Sequence, residues 1–403
     1  MAESSTGPTT YMKVSAWRDI YACQPELPKS AKGTLAAPSG VRPMPTTLTA
    51  RDHNRQRRVV SHAFSDRALK EQEYLLHKYS DMLVSRLRGL ARKGTTIVDI
   101  YNWYNFTTFD ILGDLCFDES FHCLENAANH DWIIEVYDSI NKAKVMTVFQ
   151  HFPPLDSIIR SCLPSIIRQK VRKIFDFTRQ KIDERIKRNP DRPDFMHYIL
   201  ENNHKGGMTR DEIDATVTVL VLAGSGQTVT HKEIRDATHN DPTNVTVEAV
   251  SSLPFLHAVL QESMRLRPVV PVGNPREVNR PGLSICGVPV PQGCRVSIPP
   301  KTAYHHPSKF VDAESFIPER WLPDAPPRFS ADEKEIFEPF MVGPRSCLGR
   351  TPAWMEMKLI LAKIFCAFDV RLAEELNVGN WTDVKIHFVA ETKPLFVALD
   401  SKT

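Results

Sequence analysis

Residues 340–349 read Phe-Met-Val-Gly-Pro-Arg-Ser-Cys-Leu-Gly, and an apolar run from Ala353 to Phe368 follows them. The run predicts a helix. Gly343 and Gly349 can adopt backbone angles closed to other residues, so we expect a sharp turn before that helix. The segment therefore places one cysteine, Cys347, in a turn just ahead of a helix N-terminus.

A cysteine in this position is suited to binding iron as a thiolate. The free N–H groups and the positive dipole end of the following helix stabilise an anionic sulfur. A thiolate ligand on a heme iron favours O–O cleavage. Phe340 can cover the sulfur, and Arg345 can reach a heme propionate through a charge-assisted bond. The alternative is an apolar core residue, which is the usual role of a lone cysteine.

The pattern Phe-x-x-Gly-x-Arg-x-Cys-x-Gly resembles the heme-binding loop of the cytochrome P450 family at every defining position. The resemblance runs from Ser15 to the C-terminus. It implies heme b as cofactor, with Cys347 as the axial metal ligand and with Phe340, Gly343, Arg345 and Gly349 in the cofactor site. It also implies a fold that is mainly α with a minor β part, a P450-like helical fold around a buried heme. Residues 1–403 would form a single domain.

Composition and charge agree with an ordinary globular protein and exclude several classes. The 403 residues are 42% hydrophobic and 25% charged, and a net charge of +3 does not indicate a nucleic-acid partner. Eight cysteines at irregular spacing, without a Cys-x-x-Cys pair, do not suggest a disulfide scaffold or a zinc site. The apolar run 215–224 is too short to span a bilayer, and residues 1–8 lack a signal-peptide core. We expect no transmembrane anchor in this chain and a location on the cytoplasmic side, peripheral on the endoplasmic reticulum.

Hydrophobic periodicity and capping residues predict the elements. Ser65 is a candidate N-cap, and Thr209 with Glu212 forms a candidate capping box. Helices are predicted at 53–92, 99–117, 130–150, 166–188, 193–203, from 209 onward, and at 253–267. Short strands are predicted at 283–285, 288–290, 385–388 and 395–399.

Two further groups of charged residues fit the resemblance. His53 and Arg57 lie four residues apart, on one face of a basic helix. The resemblance implies that both, together with Arg276, bind the heme propionates. The alternative is a solvated basic face, which we expect for Arg55, Arg58 and Arg67. A last group, formed by Glu262, Arg265 and Arg320, is predicted to be a buried structural network on the heme side.

The segment 223–228, Ala-Gly-Ser-Gly-Gln-Thr, departs from the family pattern. Relatives carry an acid and an alcohol there, above the iron, which relay protons to the distal oxygen. In a strict alignment Gly226 and Gln227 occupy these positions; with one extra residue allowed, Gln227 and Thr228 are the catalytic pair. In both cases the carboxylate is lost, and Gln227 cannot carry a proton as a carboxylate does. The alternative is a helix that only packs.

The chain also looks shortened relative to the family. Roughly twenty residues of the family pattern, about a helix and a half, are missing near 230–231. The family's N-terminal anchor and first strands have no counterpart either. A truncated or alternatively spliced product is therefore expected.

The function implied is a monooxygenase that inserts one oxygen atom from O2 into a small apolar substrate. The sequences Asp-Phe-Met at 194–196 and Ser-His-Ala-Phe-Ser at 61–65 resemble those of fungal family members that modify secondary metabolites. Electrons would come from a separate NADPH-cytochrome reductase, because the chain has no flavin or nicotinamide fingerprint. Alternatives are a truncated form that binds heme without oxygenase activity, a fragment that binds none, and a helical interaction module.

Overall fold

A computed structural model describes residues 9–31, 36–92, 94–139, 165–190, 192–204, 206–222, 244–377 and 393–402. In these ranges the chain is mainly helical, with three small sheets. This confirms the predicted fold class, mainly α with a minor β part.

Helices supply most of the structure. They are α1 (Ser15–Tyr21), α2 (Ala50–Val60), α3 (Asp66–Ala91), α4 (Ile100–Phe117), α5 (Cys123–Asn126), α6 (131–139), α7 (Ser165–Arg188), α8 (Phe195–Glu201), α9 (Arg210–Leu222), α10 (Val247–Ser251), α11 (Pro254–Leu266), α12 (Pro300–Tyr304) and α13 (Arg350–Ala367). Short 3-10 turns lie at Met44–Thr46, Ser61–Phe64, Pro318–Trp321, Pro327–Phe329, Lys334–Ile336, Gly343–Arg345 and Glu374–Leu376.

The strands form three separate sheets. They are β1 (Thr9–Thr10), β2 (Thr96–Asp99), β3 (Arg276–Glu277), β4 (Leu283–Ile285), β5 (Val288–Val290), β6 (Arg295–Ser297), β7 (Phe368–Leu372) and β8 (Phe396–Ser401). In the first sheet β6 lies between β1, which is parallel to it, and β3, which is antiparallel. In the second, β8 pairs antiparallel with β2 and β7. The third is the β4–β5 hairpin.

Capping explains where the helices around the site begin. The Ser65 hydroxyl accepts a hydrogen bond from the Ala68 N–H at 3.3 Å, which confirms it as the N-cap of α3. The Thr209–Glu212 capping box is also confirmed, because Glu212 N–H donates to Thr209 Oγ1 at 3.3 Å and Thr209 N–H donates to Glu212 Oε2 at 2.9 Å. Both caps could be predicted from the sequence because the two residues of each cap lie within one helical turn.

Two apolar clusters build the core of the described chain. The larger lies among α3, α4, α8, α9 and α13, and the smaller surrounds α1, the first sheet and the turns near 310–342. Trp354 and Met357 of α13 pack against both clusters. The helix that follows Cys347 therefore joins them. The assignment of residues 1–403 to one domain stays a prediction.

Some element predictions were wrong in detail. The helix after Cys347 begins at Arg350 and ends at Ala367, and Phe368 already starts β7. Strand β2 was not predicted, because four residues beside a strongly helical segment give little periodic signal. The predicted strand 385–388 and the end of the predicted helix 130–150 lie outside the described residues. None of the described helices combines the length and apolar character that a membrane span requires.

Candidate functional site

The loop around Cys347 is closed by its own backbone. The Cys347 N–H donates to the Phe340 carbonyl at 2.8 Å, and the Ser346 N–H donates to the Gly343 carbonyl at 3.0 Å. Gly343 has φ of +76°, and a Cβ there would overlap with the carbonyl oxygen of Tyr21 in α1. Only glycine fits this position, as the sequence predicted.

Gly349 does not need the conformational freedom that the sequence suggested. Its φ is −76°, and a Cβ built on it would lie 3.8 Å from the Cys347 sulfur, an ordinary contact. Its backbone N–H instead acts as a donor to that sulfur. The prediction of a special backbone angle at Gly349 was therefore wrong, while its place beside the sulfur stands.

The Cys347 thiol is accessible and also lies close to other groups of the protein. Its side chain is exposed to solvent, yet surrounding protein raises the pKa of the thiol by desolvation. The Gly349 N–H and the Arg57 charge oppose the rise in this pKa, so they favour a thiolate. Deprotonation at neutral pH would then need a further cation at the sulfur, such as a metal ion.

Two arginines, one from α2 and one from the cysteine loop itself, make polar contacts that hold this loop. Arg57 of α2 donates to the Ser346 carbonyl at 2.6 Å, one residue before the cysteine. Arg345 is almost completely buried, forms an ion pair with Glu26, and donates to the Thr47 carbonyl at 2.6 Å. The structure thus brings both predicted arginines to one place.

His53 and Arg276 lie in the same group. His53 is buried on α2, and burial beside Arg345 lowers its pKa to about 4, so the imidazole is neutral at pH 7. Arg276 is 1% exposed, and burial lowers its pKa to about 10. Its Nε has no hydrogen-bond partner, and its Nη1 donates only to backbone carbonyls, at 3.2 and 3.5 Å. A buried guanidinium without an acidic partner destabilises the fold unless an anion binds to it.

We call Lys29, His53, Arg57, Arg276 and Arg345 the cationic group. The sequence analysis missed one member, Lys29, and also missed Glu26, the carboxylate that pairs with Arg345. Burial, with Arg276 and Arg345 nearby, lowers the pKa of Lys29 to about 7. Lys29 and Arg276 both lie within electrostatic range of Glu26, whose carboxylate already pairs with Arg345, so positive charge is in excess around it. No motif marked Lys29 or Glu26, because both lie in an irregular segment rich in proline.

The residues present fit a heme with two carboxylates. The Arg276 nitrogen without a partner and the excess positive charge favour an anionic ligand, and the sulfur of Cys347 lies near Arg57 of the same group. Arg–carboxylate pairing is the strongest form of such recognition. The described residues contain no group of three or more His, Cys, Asp or Glu side chains that could hold a metal ion. A single cysteine, as in heme ligation, remains compatible with that finding.

Phe340 lies half-buried beside the loop. Its ring is 6.0 Å from that of Trp354, centroid to centroid, at the start of α13. Gln227 and Thr228, the predicted catalytic pair, lie outside the described residues. Helix α9 ends at Leu222, just before them, with Val217 and Val221 fully buried.

The predicted structural network is confirmed. Arg265 forms two bonds of 2.8 Å to the Glu262 carboxylate, and Arg320 donates to Glu262 Oε1 at 3.2 Å, all three side chains being fully buried. Arg320 also donates to the Asp332 carboxylate at 2.6 Å, and the Trp321 indole N–H donates to Glu262 at 2.9 Å. Every charge in this network has a partner, in contrast to the cationic group near Cys347.

The prediction that Arg55 lies on a solvated basic face was wrong. Its guanidinium is 28% exposed and pairs with Glu212 of α9 at 2.6 Å. Arg67, in contrast, is 85% exposed and pairs only with Glu71 of its own helix. Spacing could not distinguish the two arginines, because the partner of Arg55 lies on a distant helix.

The chain is similar in sequence to one protein family over most of its length. The family model "Cytochrome P450" matches residues 44–230 and 226–398. The cytochrome P450 monooxygenase astJ of Aspergillus oryzae is 36% identical over 97% of this chain and 82% of its own length. The averantin hydroxylase of Dothistroma septosporum is 33% identical over 98% of this chain and 78% of its own length.

Proposed function

The chain belongs to the cytochrome P450 family of monooxygenases, and from this premise we propose that Cys347 binds the iron of a heme b. The observation that carries the proposal is the coincidence of two features. The Cys347 sulfur is exposed, and a group of cations with an excess of positive charge lies around the same loop, where Arg57 donates to the Ser346 carbonyl and Arg345 pairs with Glu26. The two propionates of a heme would supply anions for these cations.

Four members of the cationic group have a defined task in this proposal. Arg276 and Arg345 bind the propionates, with Arg57 and the neutral imidazole of His53 completing the set from α2. Phe340 excludes water from the sulfur. The Gly349 N–H donates a hydrogen bond to the sulfur and so stabilises the thiolate. Gly343 lets the loop approach α1, which fixes the sulfur in position.

When bound, the heme supplies oxygen activation, and thiolate ligation favours O–O cleavage. The protein must exclude water, orient the substrate and deliver protons. We assign proton delivery to Thr228, with Gln227 orienting water in place of the family's carboxylate. Electrons come from NADPH through a separate reductase.

The substrate proposed is a small apolar intermediate of fungal secondary metabolism, which receives one oxygen atom from O2. One relative is named a hydroxylase, the averantin hydroxylase of Dothistroma septosporum. Helix α9, the loop 38–48 and the segment after Pro268 line the expected pocket. In agreement, the Met44 N–H donates to Thr216 Oγ1 at 3.2 Å, so loop and helix are joined.

Hemin reconstitution tests the assignment of Cys347. Reduced, CO-treated protein should absorb near about 450 nm, the signature of thiolate-bound heme. Cys347→Ala should abolish this band, whereas Cys294→Ala, at a half-buried cysteine next to β6, should retain it.

Two other results would decide against the proposal. A wild-type protein that binds no hemin would support the non-binding fragment. A normal band combined with no reductase-dependent NADPH consumption in the presence of substrate would support a heme protein without oxygenase activity.

A further inference from the structure

Helices α2 and α9 are joined by a half-buried charge pair outside the cofactor site. Arg55 Nη2 lies 2.6 Å from Glu212 Oε1, and Arg55 Nη1 lies 2.8 Å from Glu212 Oε2, which is a bidentate arrangement. Arg55 Nη1 also donates to the Gly207 carbonyl at 2.7 Å. Such pairs combine strength with a fixed geometry.

The Glu212 carboxylate is fully used. Besides Arg55, it accepts from the Gln56 side chain at 3.1 Å and from the Thr209 N–H at 2.9 Å. Gln56 is 1% exposed and also donates to the Arg42 carbonyl at 3.1 Å. Hydrogen bonds and the Arg55 charge lower the pKa of Glu212, so its carboxylate is ionised at neutral pH. One side chain thus sets the start of α9 and its distance from α2.

The opposite face of α2 contacts the cysteine loop. Arg55 and Arg57 lie two residues apart, so their side chains leave the helix on nearly opposite faces. Arg57 donates to the Ser346 carbonyl at 2.6 Å, next to Cys347. A short chain of contacts therefore runs from Glu212 through α2 to the residue beside the sulfur.

We infer that Glu212 is a positioning residue of the cofactor site, acting through Arg55 and Gln56 to hold the Arg57 face of α2 against the Cys347 loop. The inference rests on the proposed function, because it assigns the cofactor to that loop. Glu212 touches neither the sulfur nor the cationic group itself. Its effect is to fix α2 between the helix on the substrate side and the loop on the iron side.

Heme retention provides the test. Glu212→Gln keeps the volume and the capping oxygen but removes the charge, and Arg55→Gln removes the same pair from the other side. Each variant, reconstituted with hemin, should lose heme to excess apomyoglobin about tenfold faster than wild type. A smaller fraction of its reduced, CO-bound heme should absorb near about 450 nm. The double variant should resemble the single variants, because they break one interaction.

Arg67→Gln is the matched control, since it also breaks an Arg–Glu pair, but one that joins residues of α3 only. Its heme loss should stay within about twofold of wild type. A purely structural role for Glu212 would lower the urea midpoint of the variants while leaving heme loss and the 450 nm fraction unchanged, and this result would overturn the inference. If wild type itself showed no 450 nm band, the proposed function would fail instead.

Discussion

Arg276 and Glu356 each have a side-chain polar atom that is shielded from solvent and has no hydrogen-bond partner. Arg276 is a cation with a partnerless nitrogen beside the cysteine loop, and an anionic cofactor group would complete it. Glu356 lies on α13 in the opposite condition: its Oε1 is shielded from solvent and has no partner. Burial raises the pKa of Glu356 to about 8, so the carboxyl is protonated at pH 7.

Glu356 makes stability depend on pH in a predictable direction. Its pKa is about 8 in the fold and near 4.5 in an unfolded chain, so the folded state binds the proton more tightly. The stabilisation is complete below about pH 4.5 and is lost as pH rises toward about pH 8. We expect the free energy of unfolding to fall by on the order of 4 kcal/mol between these limits, measured by urea denaturation.

The matched variants isolate this effect. Glu356→Gln should remove most of the slope between about pH 5 and about pH 8, because a neutral amide does not titrate there. Glu374→Gln, at an exposed carboxyl in the turn after β7, should leave the slope as it is in wild type. An unchanged slope in Glu356→Gln would show that Glu356 is solvated in the fold.

At the scale of elements, the cysteine loop is held by backbone fit rather than by its side chains alone. The loop turns at Gly343, contacts α1 through that residue, and leads into α13 at Arg350. Its two glycines look equivalent in the sequence, but only Gly343 has a left-handed backbone. The position of the sulfur therefore depends on the α1 contact.

Replacing each glycine by alanine should separate these roles. Gly343→Ala combines a positive φ with an overlap at the Tyr21 carbonyl, so it should cost about 2 kcal/mol or more and weaken hemin binding. Gly349→Ala meets only an ordinary contact at 3.8 Å and should cost about 1 kcal/mol or less. Urea denaturation and hemin titration measure both, and equal effects would contradict the α1 contact as the cause.

For the whole molecule, the described core consists of two apolar clusters that meet along α13. The cationic group near Cys347 draws its members from α2, β3, the cysteine loop and the segment after α1. Uncompensated buried charge lowers the stability of the protein without its cofactor. Binding of an anionic ligand should therefore stabilise the fold as a whole.

Comparison of hemin with its dimethyl ester tests this expectation. Hemin at about a hundredfold above its Kd should stabilise the fold by about 2.7 kcal/mol, seen as a rise in Tm. The ester, which lacks both carboxylates, should need a much higher concentration for the same rise. Equal stabilisation by the two would leave iron binding possible but remove the propionate role of Arg276 and Arg345.

Local sequence patterns predicted much of this protein. The caps at Ser65 and Thr209, the long helices, the β4–β5 hairpin and the Glu262–Arg265 pair follow from residues within a few positions of one another. The heme-loop motif is also local, and it led to the family that the comparisons show. Such signals can be read because their partners are close in the chain.

Only the tertiary structure decided which charges meet. Arg55 pairs with Glu212 across 157 positions, and Arg345 pairs with Glu26 across 319, and neither spacing leaves a periodic mark in the sequence. The same is true of the partnerless nitrogen of Arg276, because an absent partner becomes visible only when all the neighbours are placed. Sequence alone thus determined the cysteine, its loop and its family, whereas long-range packing determined the excess charge around them.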